Sequence, residues 1–239
     1  MAVQGIIPNV WRTVLARVFA RDILDTQAEI VRFKIGEGGF VDVPPKQPIA
    51  PVATKTDLDS EGAELTGGGT ATFTNALATV TGVGTSFLAD LAVGQWIKPG
   101  PTPSGFVGSA GVPGSEVDQW GQILTVDNNL QVTLTAPYAG ATLAGRPVRK
   151  TTAAQGPLFT FRKTLLAADV TLFSSLPAIT EIDAIVLAGE ANLDQLGNLP
   201  EFFELGLFDT NGVMVAYITF DLQTKSGAIQ LNSIIQIVF

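Results

Sequence analysis

Apolar and polar residues alternate over short runs along most of the chain, a two-residue period typical of β-strands with one buried face. The first clear run is EIVRFKI at residues 29–35. Similar runs follow at residues 71–73, 78–81, 95–98, 121–126, 130–135, 158–165, 170–173, 181–188, 202–208, 213–220 and 234–239. Because turns rather than long helical patterns separate these runs, the sequence predicts a mainly β protein, an antiparallel β-sandwich.

One segment near the N-terminus has a helical period instead. Residues 8–21 (PNVWRTVLARVFAR) place Val10, Val14 and Val18 on one stripe, with the arginines elsewhere. Asn9 precedes the stripe and is a good N-cap residue. The segment therefore predicts a short N-terminal helix.

Turn signals separate several of the predicted strands. Residues 127–129 (Asp-Asn-Asn) and 210–212 (Thr-Asn-Gly) each lie between two runs and predict tight hairpins, with Asn211 and Gly212 both at positive φ. The glycine-rich stretch at residues 36–39 ends the first run. It lacks the spacing of a phosphate-binding loop and leads into prolines, so we interpret it as a turn.

Two proline-rich or polar breaks, at residues 43–62 and 150–157, divide the chain. Between them the sequence has few charges and many threonines and glycines. We predict that residues 1–62 plus 151–239 form a discontinuous β-sandwich domain for assembly. Residues 63–150 would form a small inserted β-domain.

The composition removes many kinds of chemistry. The 239 residues include no cysteine and no histidine, which excludes a thiolate nucleophile, an imidazole base and a Cys/His zinc site within this chain. The net charge of −8 argues against nucleic-acid binding, which relies on lysine and arginine. We expect no enzyme activity, no cofactor and no metal.

No apolar run has the roughly 20 residues that a bilayer-spanning helix needs. The N-terminus also lacks the basic, apolar and small-residue order of a signal peptide. We therefore expect no membrane contact and assembly in the host cytoplasm.

The charge is unevenly distributed along the chain. Residues 1–34 carry five basic and three acidic side chains, whereas residues 165–239 carry nine acids and one base. A solvated acidic face explains this distribution, and so does head-to-tail steering between subunits.

A few residues suggest alternative chemistry. Glu201 and Glu204, or Asp118 and Asp127, are candidate glycosidase pairs, and either pair would make the chain a carboxylate-based glycan hydrolase or lyase. In a chain with 22 acids, chance proximity is the simpler explanation. Trp120 lies in a glycine- and proline-rich stretch and is the candidate glycan contact, provided that its ring is exposed.

The alternating acids Asp57, Asp59 and Glu61 resemble oxygen ligands for Ca²⁺. No EF-hand pattern follows them, and we interpret them as a solvated loop.

Two distant stretches resemble small tail-collar, fibre-associated and baseplate proteins of tailed bacteriophages. FKIGEGG (33–39) is similar to their FKxGEGG pattern. ELGLFDTNGVMVAY (204–217), followed by Thr224 and Lys225, is similar to EIGLFDxxGxLxAxxxFPxxTK, with Asp-Leu at residues 221–222 in place of Pro-Glu.

A third stretch resembles a small β-module of phage structural proteins, VxGxGTxFxxxLxxGDxI. It covers residues 81–97, continues through residues 126–140, and has Gln95 in place of the usual acid. Phe87, Leu91, Trp96 and Ile97 would fill the core of this module.

These resemblances imply an oligomeric structural protein of the virion, in the tail, collar or baseplate. Its partners would be copies of itself and other virion proteins. A receptor- or glycan-binding virion protein, contacting host surface glycan, and a head-decoration protein are the alternatives. The residues expected to serve as assembly or fold motifs are Phe33, Gly36, Gly38, Gly39, Glu204, Gly206, Phe208, Asn211, Gly212 and Tyr217.

Overall fold

The computed structural model describes residues 3–9, 29–41, 45–100, 119–151, 156–173 and 179–238, and the chain is mainly β. The predicted N-terminal helix at residues 8–21 lies outside the described residues, apart from Pro8 and Asn9.

The strands alternate with short turns along the chain. The first twelve are β1 (Val3–Ile6), β2 (Ile30–Gly36), β3 (Phe40–Val41), β4 (Gln47–Pro48), β5 (Ala63–Glu64), β6 (Thr70–Phe73), β7 (Thr79–Val83), β8 (Trp96–Pro99), β9 (Gly121–Asn128), β10 (Gln131–Leu134), β11 (Leu143–Arg146) and β12 (Val148–Lys150). The others are β13 (Thr160–Thr164), β14 (Val170–Phe173), β15 (Ile179–Val186), β16 (Glu201–Asp209), β17 (Met214–Thr224) and β18 (Leu231–Val238).

Helical structure in the described residues is short. The helical elements that lie wholly within the described residues are α1 (Phe87–Asp90) and two 3-10 turns, Asp59–Glu61 and Ala167–Asp169; Asn9 is also helical.

The chain divides into two compact units. The first contains the described residues up to Leu58 and from Phe161 onward, and the second contains those from Asp59 to Thr160. The predicted insert, residues 63–150, falls within the second unit.

The first unit contains a five-stranded sheet in the order β1-β17-β16-β2-β13, in which β1, β17, β16 and β2 pair antiparallel. It also contains a three-stranded sheet, β14-β15-β18, and the small pair β3-β4. The long hairpin β16–β17 was predicted from the turn at residues 210–212, and its two strands pair as expected.

Strand β16 differs from its sequence prediction, which gave the hairpin a single buried face. Every residue from Phe202 to Asp209 is buried, because β16 is the central strand of its sheet and is covered on both faces. The chain thus encloses this strand between two layers of side chains.

The second unit is built on an eight-stranded sheet in the order β11-β6-β7-β10-β9-β8-β12-β5. Its core includes Phe73, Phe87, Ile97, Val132 and Tyr138. Leu91 also joins this core, but Trp96 is only half-buried, contrary to its predicted core role.

Candidate functional site

The two distant motif stretches of the first unit lie side by side in its main sheet. β2 pairs with β16, and β16 pairs with β17, so that Glu204 lies opposite Gly36, while Gly206 lies opposite both Lys34 and Tyr217. About 170 residues of chain separate the two stretches, and only the sheet brings them together.

A buried carboxylate lies at this junction. The Glu204 side chain is 0% exposed, and the Tyr217 hydroxyl donates a 2.8 Å hydrogen bond to its Oε2. Gly39 packs against the pair with φ of +76°, and a Cβ added there would lie 2.9 Å from the Glu204 Cβ. The junction has no room for a larger residue at position 39.

Of the three glycines predicted to form the first turn, only Gly39 has a positive φ. Gly36 is the last residue of β2, and Gly38 is buried beyond it. The turn then leads into β3 rather than into a helix, so the backbone amides do not form the helix N-terminus that a phosphate loop uses.

Gly206 and Phe208 allow close packing within the same sheet. A Cβ on Gly206 would lie 2.6 Å from Leu58 Cδ1. The Lys34 ammonium lies 4.6 Å from the Phe208 ring centroid and forms a 2.7 Å ion pair with Asp57. Phe33 is buried and contacts Phe161 at 6.2 Å between ring centroids.

The hairpin turn after β16 is organised by Asp209. Its Oδ1 accepts 2.8 Å hydrogen bonds from the backbone N–H groups of Asn211 and Val213, and its backbone N–H donates to Val213 O at 3.0 Å. Burial raises the pKa of this carboxyl, and the hydrogen bonds oppose that shift. Its Oδ2 is buried without a hydrogen-bond partner.

The predicted positive φ at both turn residues is half right. Gly212 has φ of +79°, but Asn211 is not among the described non-glycine residues with positive φ. The loop has three residues and ends in a left-handed glycine, a geometry that needs positive φ at one position only.

Trp120 does not present the exposed ring that a glycan contact requires. Its side chain is 4% exposed, its Nε1–H donates to Leu158 O at 2.8 Å, and Lys98 Nζ lies 4.7 Å from its ring. Lys98 in turn forms a buried 2.9 Å ion pair with Glu61. Trp120 therefore covers a buried charge pair inside the second unit.

The other carboxylates considered from the sequence are already engaged. Glu201 is on the surface and forms a 2.9 Å ion pair with Lys46, whereas Glu204 is buried against Tyr217. Asp127 is exposed and accepts hydrogen bonds from Thr125 and Thr133, which lower its pKa. Asp118 lies outside the described residues.

Two of the three acids considered as Ca²⁺ ligands bind separate lysines, Asp57 to Lys34 and Glu61 to Lys98. Within the described residues, no three acidic side chains gather as a metal site would require.

No family model, curated protein or solved structure matches the chain. Its architecture and side-chain contacts therefore carry the functional argument. Over the described ranges, no helix is long and apolar enough to cross a membrane.

A second cluster, around Lys225, was not singled out as a site from the sequence. The Lys225 side chain is fully buried at the end of β17, and its ammonium donates to Ser226 O (2.8 Å), Asn192 Oδ1 (2.9 Å) and Ala188 O (3.3 Å). Burial lowers the Lys225 pKa, while the nearby Glu190 carboxylate raises it. The only sequence signal was the Thr-Lys pair at the end of the motif.

Lys225 fixes the connection between β15 and β16, residues 187–200, which we call the leucine loop. Four leucines of this loop are exposed: Leu187, Leu193, Leu196 and Leu199. Exposed apolar groups on an ordered loop form a surface suited to a protein partner.

Proposed function

We propose that this chain is a non-enzymatic structural subunit of a tailed-phage particle that forms part of the tail, collar or baseplate by oligomeric assembly. Its two sheets in the first unit would form a β-sandwich preceded by a short N-terminal helix. The second unit would be the accessory module inserted into that sandwich.

The observation that carries the proposal is the packing of the residues that resemble phage virion proteins. Gly39, Glu204 and Tyr217 meet in a closed interior, and Gly206 packs on Leu58. Phe33 and Phe208 fill the same sheet. These residues serve packing and turns, since Glu204 and Tyr217 are buried and hydrogen-bonded to each other.

Exposed apolar side chains in both units support assembly as the role. Besides the leucine loop, Leu166 and Leu172 of the first unit and Val83 and Leu88 of the second are more than half exposed. Burying such groups against neighbouring subunits would stabilise an oligomer by about 25 cal/mol for each Å² of apolar surface removed from water.

The experiment is localisation of the chain on purified particles. Particles would be banded by density, analysed by mass spectrometry, and labelled with antibody for electron microscopy. We expect the chain in the particle band and the label at the tail, collar or baseplate. Label over the head would favour a decoration protein, and absence from washed particles would refute the proposal.

A further inference from the structure

We propose that Lys225 and Asn192 form a covalent isopeptide bond within the chain. The Lys225 Nζ would replace Nδ2 on the side-chain amide carbon of Asn192, Cγ, and the amide nitrogen would be released as ammonia. This modification goes beyond the proposed assembly function and does not depend on it.

The two reacting groups are in contact. Lys225 Nζ lies 2.9 Å from Asn192 Oδ1, and the amide carbon is one carbonyl bond, about 1.2 Å, beyond that oxygen. The lysine nitrogen therefore lies within about 4.1 Å of the carbon that it would attack. Reacting groups that a fold holds together behave as if they were at very high concentration, which allows a primary amine to attack an amide that is inert in dilute solution.

The backbone carbonyl groups around Lys225 orient its nitrogen toward the amide. A neutral amine has two N–H bonds and one lone pair. Ser226 O lies 2.8 Å from Nζ and Ala188 O lies 3.3 Å from it, so these two oxygens can accept both N–H bonds. The lone pair is then left to face Asn192, as a nucleophilic attack requires.

Burial favours the reactive form of the lysine. The Lys225 side chain is fully buried, and this burial lowers its pKa, while the Glu190 carboxylate raises it. Only the neutral amine is a nucleophile, so the loss of hydration increases the fraction of Lys225 that can react at neutral pH.

Glu190 provides a carboxylate for the proton transfers. Its Oε2 accepts from Lys163 Nζ at 3.0 Å and from the Leu187 N–H at 2.9 Å. Its Oε1 is buried and has no hydrogen-bond partner among the described residues. Because Glu190 also acts electrostatically on Lys225, a buried carboxylate with one unengaged oxygen lies near the reacting amine.

The reaction balances without any other reactant. Glu190 takes a proton from the Lys225 ammonium, the Nζ–Cγ bond forms, and the Cγ–Nδ2 bond breaks once Nδ2 has been protonated. The two protons that Nζ loses leave with Nδ2 as an ammonium ion. Glu190 ends as the carboxylate that it was at the start.

The leaving nitrogen has a path to solvent. A Cβ added at Gly227 would lie 3.6 Å from Asn192 Nδ2, so this glycine is beside the nitrogen that departs. Gly227 is exposed and Asn192 is half-buried. Ammonia can therefore leave without any movement of the main sheet.

The bond would close the open end of the long hairpin. Asn192 precedes β16 and Lys225 directly follows β17, while the turn at residues 210–212 joins the two strands at the other end. The cross-link would convert residues 192–225 into a covalent ring. A ring restricts the conformations of the unfolded chain, so the cross-link is expected to stabilise the first unit.

The test is the mass of the purified full-length protein, measured after denaturation. We expect the protein to weigh one ammonia less than its sequence requires. Trypsin should not cut after Lys225, because its side chain would be an amide. The digest should then contain residues 164–239 as one peptide in place of residues 164–225 and 226–239.

A second digestion identifies the two linked residues. Cleavage after Glu201 or Glu204 cuts the chain between Asn192 and Lys225, and the two fragments should stay joined by the side-chain bond. A cyclic imide at Asn211 would also lose one ammonia, but its fragments would separate and trypsin would cut after Lys225.

Three variants test the roles of the residues. Lys225→Arg keeps the positive charge but has no nucleophilic amine, so it should have the full mass. Glu190→Gln should slow the loss of ammonia by at least about 100-fold, since it removes the carboxylate that transfers the protons. Lys163→Met is the matched control, because it removes the ion-pair partner of Glu190 and should still form the cross-link.

The proposal is overturned if the unchanged protein keeps its full mass after prolonged incubation at neutral pH and is cut after Lys225. It is also overturned if Lys225→Arg still loses one ammonia, because the loss would then come from another residue. Loss of ammonia from Glu190→Gln at the unchanged rate would show that the assigned proton transfer is wrong.

Discussion

The Tyr217 hydroxyl and the Glu204 carboxylate are joined by a 2.8 Å hydrogen bond between adjacent strands, at the centre of the first unit. Glu204 is fully buried and Tyr217 nearly so. A buried carboxylate is costly unless hydrogen bonds compensate for its lost hydration. The hydrogen bond therefore joins the two ends of the 204–217 stretch, and Gly39, in the turn that ends the other stretch, packs against the pair.

Tyr217→Phe should lower the free energy of unfolding by about 1–2 kcal/mol, because it removes a donor from a buried acceptor. Tyr217→Phe/Glu204→Met should cost less than the sum of the two single changes, since methionine has no oxygen to accept the hydroxyl and each change therefore removes the same hydrogen bond. Denaturant unfolding of all four proteins measures the coupling. Strict additivity would show that the hydroxyl and the carboxylate do not stabilise one another.

Gly39→Ala should destabilise the first unit for two reasons, the positive φ and the contact with Glu204. Gly197→Ala in the same unit is the matched control, because Gly197 has φ of +83° with nothing within 4 Å. We expect a loss of about 1–2 kcal/mol at Gly197 and a further loss of about 1–3 kcal/mol from overpacking at Gly39. Equal losses in thermal or denaturant unfolding would mean that only backbone conformation matters.

Asp209→Asn should stabilise the protein relative to wild type by an amount that grows as pH rises. The pKa of Asp209 is raised by burial, so the folded state holds its proton more tightly than the unfolded state does. Wild-type stability is therefore lost as pH rises from the unfolded pKa, about 3.9, to the raised folded value. Asparagine keeps the acceptor oxygen without this titration, and urea unfolding across this pH range measures the difference.

For Asp127→Asn, we expect the stability relative to wild type to change with pH in the opposite direction. Hydrogen bonds from Thr125 and Thr133 lower the Asp127 pKa, so its contribution is present above the unfolded pKa and is lost as pH falls through the folded one. The stability of this variant relative to wild type should decrease as pH rises. If the stability of both variants relative to wild type changed in the same direction with pH, the assigned causes of the two pKa shifts would be wrong.

Lys98→Met alone should cost about 3–5 kcal/mol, because it leaves the buried Glu61 carboxylate without its ion-pair partner. Lys98→Met/Glu61→Gln should recover much of that loss, since no unpaired charge remains. Urea unfolding of the wild type and the two variants measures the change. A double variant no more stable than Lys98→Met would indicate that the lysine acts by packing alone.

The local pattern of the sequence predicted most of the longer strands, and the reason is physical. Strand β2 was expected at residues 29–35 and forms at Ile30–Gly36. The hairpin predicted at residues 127–129 forms between β9 and β10, but β9 continues through Asn128 and the turn falls at residues 129–130. The alternation of apolar and polar residues and the preferences of turn residues depend on a few neighbouring positions, so both can be recognised from a short stretch of sequence. The two-residue strands β3, β4 and β5 are too short to show a period.

The chain alone determined the β class, the hairpin at Gly212 and the absence of thiol and imidazole groups. Tertiary structure decided which distant residues meet. It gave β16 a central position with two covered faces, buried Trp120 against Leu158, and placed the Lys225 ammonium among oxygens of two loops. Such outcomes depend on strand order and on contacts between residues far apart in sequence, and no local pattern records either of them.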